Sequence, residues 1–223
     1  MSDERTETMM QLSAEFQQMV DEFFTVQCRY QAAIREVQTK LEILDDEFQM
    51  KHKRNPIHHM QTRMKSIQSM MEKLQRKHES VSIASAVTNL TDIAGVRVIC
   101  SYIQDIYTVA DLLTSQDDVK VLRVRDYIKD PKPNGYRSLH LVLEIPVFLS
   151  EGRILVPVEV QIRTIAMDFW ASLEHSLRYK AEGQVTEEVS RELLQTASDI
   201  AALDQRMQRI HDKVDAMALA KEH

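Results

Sequence analysis

Glycine and proline are scarce, at four and five in 223 residues. So few turn formers exclude an all-β architecture built from many tight hairpins. No run approaches 18 apolar residues, so no membrane-spanning helix is expected. The opening Met1-Ser-Asp-Glu-Arg leads into no apolar core of the kind a secretory signal needs. Cysteine is limited to Cys28 and Cys100, far apart and outside any CxxC pattern. They read as reduced thiols of a cytoplasmic protein. Positive charge is not in excess either: the net charge of −6 argues against a general nucleic-acid binder. No internal repeat or low-complexity tract is visible. What remains is a chain 43% hydrophobic and 28% charged. Its length suits a single domain over 1–223 with a genuine core.

The charge is unevenly spread. Residues 1–50 hold 4 basic and 11 acidic side chains, whereas residues 51–80 hold 8 basic and 2 acidic. Residues 182–223 are acidic again, with 5 basic and 9 acidic. One short basic block inside an acidic chain is either a solvated helix face or a phosphate-binding patch.

Three sections follow along the chain. Residues 8–50 contain no Gly or Pro, and Tyr30, Ile34, Val37, Leu41, Leu44 and Phe48 recur at coiled-coil-like spacing. They predict a long helix ending near Asn55-Pro56. Residues 186–220 predict another, with Leu193, Ile200, Leu203, Met207, Ile210, Val214 and Met217 on one face. Both helices pack within the subunit or between subunits. Between them lie strands at 94–101, 119–128, 139–149 and 153–163, with helices at 103–113 and 165–179. Asp130-Pro-Lys-Pro-Asn-Gly135 is dense turn signal. The fold class is α+β, a mixed sheet of about five strands flanked by helices, with about 50–180 as its core and long helices at both ends.

Alternation along the strands sorts the side chains. Glu159, Gln161 and Arg163 share a face opposite Val158, Val160 and Ile162. His140 and Glu144 oppose Leu139, Leu141, Leu143 and Ile145. Arg123 and Arg125 oppose Leu122 and Val124, and Arg97 opposes Val96 and Val98. A wet sheet face gives this pattern, and so does a site for a charged ligand. Residues 60–77 read as a helix with Met60, Met64, Ile67, Met71 and Leu74 on its apolar side. Lys65, Ser69, Lys73 and Arg76 then form a stripe suited to a polyphosphate, with Arg63 off the stripe near the helix start. In the turn Lys132–His140, Tyr136 offers a stacking platform between two phosphate-binding side chains, or is simply the semi-buried ring of a proline-rich loop. Asp92 and Glu159 are carboxylates able to hold Mg²⁺ beside nucleotide phosphates. Asp92 could equally cap or turn the chain, and Glu159 could serve as a general base or a surface carboxylate.

Asp-Ile-Ala-Gly-Val-Arg-Val at 92–98, Lys-Pro-Asn-Gly-Tyr-Arg-Ser-Leu-His at 132–140 and Glu-Val-Gln-Ile-Arg-Thr at 159–164 resemble the synthetase domain of the RelA/SpoT family. So do Met-Asp-Phe-Trp-Ala-Ser-Leu-Glu-His at 167–175 and Asn-Pro-Ile-His-His-Met-Gln-Thr-Arg-Met-Lys at 55–65. A chain this short, with little beyond helical flanks, looks like the single-domain small alarmone synthetases, whose catalytic domain is nucleotidyltransferase-like. The resemblance implies Mg²⁺-dependent transfer of pyrophosphate from ATP to the 3′-hydroxyl of GDP or GTP, yielding ppGpp or pppGpp and AMP. It implies that Arg63 and Arg97 sandwich the adenine, and that Lys65, Ser69, Lys73 and Arg76 hold the ATP phosphates. Asp92 and Glu159 would bind Mg²⁺, with Glu159 also the candidate base. Tyr136 would stack on guanine, Arg125, Lys132 and His140 would meet the acceptor phosphates, and Gln161 and Glu174 would line the site.

The departures are informative. The hydrolase domain of the bifunctional members is not legible here, where the only His-Asp pair is His211-Asp212. Some small synthetases are tetramers activated by their product, through a motif with an aromatic and a Thr where this chain has His59 and Gln61. A homotetramer without product activation is therefore the expectation. The adjacent His58 and His59 are only a weak zinc signal. Two other readings remain at this point: a nucleotide-binding regulator without turnover, and an RNA-binding module that uses the basic block.

Overall fold

The computed structural model describes residues 2–181 and 185–220. Five strands, β1 (Ile57–Met64), β2 (Ala94–Cys100), β3 (Lys120–Asp126), β4 (Leu139–Leu149) and β5 (Gly152–Thr164), form one sheet in the order β1-β2-β5-β4-β3. Only the β2–β5 pair is parallel, so the sheet is mixed. Six helices surround it: α1 (Ser2–His52), α2 (Ile67–Arg76), α3 (Ile83–Asn89), α4 (Ile103–Thr114), α5 (Ile165–Lys180) and α6 (Glu187–Leu219). None of the described helices is long and apolar enough to cross a membrane.

The apolar sides of β2, β4 and β5 pack against α1, and α4 lies against β2 and β5. Ile34, Val37 and Leu41 of α1 and Ile106 and Leu113 of α4 are buried with Val96, Val98, Leu143, Ile145, Val158 and Ile162. Burying such side chains is the main drive to fold, at roughly 1.5–3 kcal/mol each relative to exposure. The opposite side of the sheet is left for polar groups.

One expectation is overturned. Residues 60–77 are not a single helix: 57–64 is the edge strand β1, and α2 begins only at Ile67. Strand β2 presents an edge whose backbone groups need partners, and β1 supplies them from Ile57↔Cys100 to Met64↔Ala94. That long-range pairing outweighs the weak local helical preference of the segment. Ser66 then caps α2, its hydroxyl accepting from Ser69 N at 3.2 Å. Arg63 therefore stands on a strand, and Lys65 lies in the strand–helix junction, its N–H donating to Ile93 O at 2.8 Å.

Helix α6 docks through Leu193 and Ile200 of its expected apolar face together with residues that apolar periodicity does not mark. Ala197 and Asp204 are buried, and Gln208 and His211 also turn inward. Thr164 donates to Asp204 Oδ2 at 2.6 Å, Gln104 N donates to Gln208 Oε1 at 2.9 Å, and His211 stacks on Tyr102 at 4.0 Å between centroids. Leu203, Met207, Ile210, Val214 and Met217 remain exposed on a neighbouring face.

Candidate active site

The register aligns two rows of side chains across the wet face of the sheet. One runs Gln61, Arg97, Gln161, His140, Arg125; the next runs Arg63, Gly95, Glu159, Val142, Arg123. Glu159 thus stands between two small or short neighbours, and space opens on both sides of it. Towards β1 lies a cavity of about 460 Å³ lined by Arg63, Lys65, Asp92, Gly95, Arg97 and Gln161. Towards β3 lies a second, of about 230 Å³, lined by Arg123, Arg125, Tyr127, Lys132 and His140. Glu159 lines both.

Asp92 sits at the mouth of β2. Its Oδ2 accepts from Lys65 Nζ at 2.7 Å and Lys73 Nζ at 2.5 Å, while Oδ1 is buried without a partner. Burial opposes ionisation of this carboxyl, but the two lysines together prevail and hold it below the ordinary aspartate range. Glu159 behaves alike. Burial works against its charge, His140 and Gln161 stabilise it, and the balance falls below the ordinary glutamate range although Asp92 repels it. Gln161 donates to Glu159 Oε2 at 2.8 Å, and His140 Nδ1 faces Oε1 at 3.6 Å.

Arg63, Lys65, Asp92, Arg97, Glu159 and Gln161 therefore gather around the larger cavity, and Arg125, Lys132, His140 and Glu159 around the smaller. Lys73 reaches the first through Asp92. Ser69 bonds Ser66, and Arg76 is exposed with Nε towards Glu72 O; neither lines either of these two cavities. The straight basic stripe inferred from one helix is thus divided between a junction and a shorter helix.

Tyr136 lies just behind the smaller cavity. Its Oη is 2.9 Å from His140 Nε2, and Lys132 Nζ stands 4.7 Å from both its ring and that of Tyr127. Glu174 does not line the site; it accepts from Asn134 Nδ2 at 3.1 Å and pairs with Arg178, bracing the turn from below. Gly135 explains the shape of that turn. Its φ is +88°, and a Cβ there would come within 2.5 Å of Ala197 Cβ on α6, so both backbone and packing require glycine.

Two contributors escaped the sequence reading, and a third was sorted to the wet face without a role. Tyr127 presents an aromatic wall, Asp168 at the start of α5 faces Arg97 and Arg163, and Arg163 is buried beneath Tyr136. Alternation put Arg163 on the wet face, but near a strand end a solvated arginine is the ordinary case, so its burial could not be read from the pattern.

The donor set suits Mg²⁺. Among the described residues no three His, Cys, Asp or Glu side chains cluster as a self-sufficient metal site. Two ionised carboxylates on one cavity, one with an orphaned buried oxygen, match a cation that completes its shell with phosphates and water.

Fold and site together define a nucleotide-handling α+β protein with two anion cavities meeting at one carboxylate. A family model described as the region found in RelA / SpoT proteins matches residues 62–184. The chain is 45% identical over 186 residues to the GTP pyrophosphokinase YwaC of Bacillus subtilis, covering 83% of this chain and 89% of that one. Its structure resembles that of small alarmone synthetase 2 from the same organism, with a TM-score of 0.75, 43% identity and coverage of 82% and 96%. It also resembles small alarmone synthetase 1 bound to its product pppGpp, at a TM-score of 0.76, 37% identity and coverage of 83% and 94%. The chain belongs to the RelA/SpoT family.

Proposed function

We propose that this protein is a GTP pyrophosphokinase. It transfers the β,γ-pyrophosphoryl group of ATP to the 3′-hydroxyl of GDP or GTP, giving ppGpp or pppGpp and AMP. The observation that carries this reading is the placement of Glu159 on both cavities, one of a size and lining for ATP and the other rich in cations for an acceptor's phosphates. The similarity to a synthetase that holds pppGpp supports the same substrates.

In this reading Arg63 and Arg97 flank the bare floor at Gly95, where a flat adenine lies between two guanidiniums. Lys65 and Lys73 neutralise the ATP phosphates. Arg125, Lys132 and His140 hold the acceptor phosphates, and Tyr136, with Lys132 moved aside, gives guanine a stacking surface. The 3′-oxygen attacks the β-phosphorus, the bond from that phosphorus to the α,β-bridging oxygen breaks, and AMP departs. The 3′-hydroxyl proton passes towards Glu159. Phosphoryl transfer of this kind draws most of its acceleration from alignment and charge neutralisation. Asp92 and Glu159 would hold Mg²⁺, which when bound offsets the negative charge on the transferring group.

The test is incubation with Mg²⁺, β-labelled ATP and GDP. Label appearing on the guanine nucleotide together with AMP supports the proposal. Nucleotide binding without AMP would make the chain a regulator, and salt-sensitive RNA binding indifferent to nucleotides would make it an RNA module. The exposed apolar face of α6 further supports self-association into a homo-oligomer, with a tetramer as the expected state, in the cytoplasm.

A further inference from the structure

Among the described residues Arg163 is the one site-facing cation almost completely removed from water, with only 2% of the residue exposed. Sequestering a guanidinium costs several kcal/mol unless its hydrogens are well used. Two of its contacts lead back to the same carboxylate. By one route Arg163 Nη2 donates to Gln161 Oε1 at 3.1 Å, and Gln161 Nε2 donates to Glu159 Oε2 at 2.8 Å. By the other, Nη2 donates to Tyr136 Oη at 3.3 Å, Tyr136 Oη lies 2.9 Å from His140 Nε2, and His140 Nδ1 faces Glu159 Oε1 at 3.6 Å. The guanidinium also lies 5.5 Å over the Tyr136 ring, and Asp168 Oδ1 faces Nη1 at 3.3 Å from the first turn of α5.

The first route has a directional consequence. An arginine has no acceptor, so Gln161 must present its oxygen to Arg163 and its amide hydrogens to Glu159. On the second route Tyr136 Oη accepts from Arg163 and meets His140 Nε2, a contact whose donor depends on the imidazole tautomer. The other ring nitrogen of His140, Nδ1, faces Glu159. One buried charge therefore sits at the root of both arms and sets the polarity of the first.

We propose that Arg163 is a positioning residue that orients Glu159 from both sides, through Gln161 towards the ATP cavity and through Tyr136 and His140 towards the acceptor cavity. This rests on the function proposed above.

The experiment is a mutant cycle. Arg163→Lys keeps the charge beside Asp168 but cannot serve both arms. It should lower kcat by roughly ten- to a hundredfold, the scale of small misplacements at a reacting centre. It should also weaken GDP binding, with the KM for ATP little changed and the circular dichroism spectrum unchanged. In a Tyr136→Phe, Gln161→Met background, where both arms are already cut, the same substitution should cost almost nothing further. An equal loss in both backgrounds would overturn the proposal and leave the function standing. If Arg163→Lys fails to fold, Arg163→Gln is carried through the same cycle. Should the wild-type chain transfer no pyrophosphate, the function falls. The cycle is then read on GDP affinity by calorimetry, where additivity again overturns the proposal and loss of the Arg163 effect in the double background upholds it.

Discussion

At the scale of single residues, Glu159 and Gly95 divide the work by opposite means, one through charge and one through having no side chain. Glu159→Gln keeps the shape and the Gln161 contact but removes the charge between the two cavities. Transfer should fall by roughly two to three orders of magnitude, the range for deleting one preorganised electrostatic group, while the melting temperature holds. Near-normal turnover in that variant would remove Glu159 from the chemistry. Gly95 has no unusual backbone, and a Cβ there would meet only Arg63 O at 3.7 Å and Glu159 O at 3.8 Å, which is ordinary contact. Gly95→Val is therefore expected to fold and to fill the floor of the larger cavity. It should weaken an ATP analogue strongly and GDP hardly at all; calorimetric titrations with each nucleotide check this, and equal losses for both would contradict it.

At the scale of elements, helix α6 is fastened to the end of β5 by a buried carboxyl. Burial raises the pKa of Asp204 above the ordinary aspartate value of 3.8, and the bond from Thr164 only partly offsets this. The folded chain thus keeps that proton to a higher pH than the unfolded chain. Its contribution to stability is full below pH 3.8 and declines as pH rises through the raised folded value. Asp204→Asn should therefore compare more favourably with wild type near neutrality than near pH 4, as read by melting temperatures at both. The opposite ordering would contradict the burial argument. Elements also mark where the sequence was and was not legible. Strands β2 to β5 and helices α4 and α5 are visible because alternation and helical period are local properties. Strand β1 was hidden because its conformation is imposed by a partner 36 residues away, as Gln61 beside Arg97 illustrates. The docking face of α6 was legible only at Leu193 and Ile200, because small and polar side chains, Ala197, Asp204 and Gln208, make its other contacts. In the site, charged residues on strands could be sorted to one face. The division into two cavities could not, since it depends on Gly95 and Val142 flanking Glu159 in register.

At the scale of the whole molecule, the sheet separates two tasks. Its apolar side, under α1 and α4, supplies stability, and its polar side is free to carry paired charges. Helix α6 adds a third surface, where Leu203, Met207, Ile210, Val214 and Met217 expose an apolar line with nearly heptad spacing. If that line seals subunits together, Met207→Glu with Ile210→Glu should lower the mass seen by light scattering while each subunit stays folded. An unchanged mass would place the interface elsewhere. The account as a whole stands on two nucleotides meeting at one carboxylate. Its most direct measurement is a crystal structure with Mg²⁺, a non-hydrolysable ATP analogue and GDP. The account predicts adenine between Arg63 and Arg97, guanine against Tyr136, and the acceptor's 3′-oxygen and the β-phosphorus both beside Glu159. Nucleotides competing for a single cavity, or a 3′-oxygen turned away from Glu159, would contradict it.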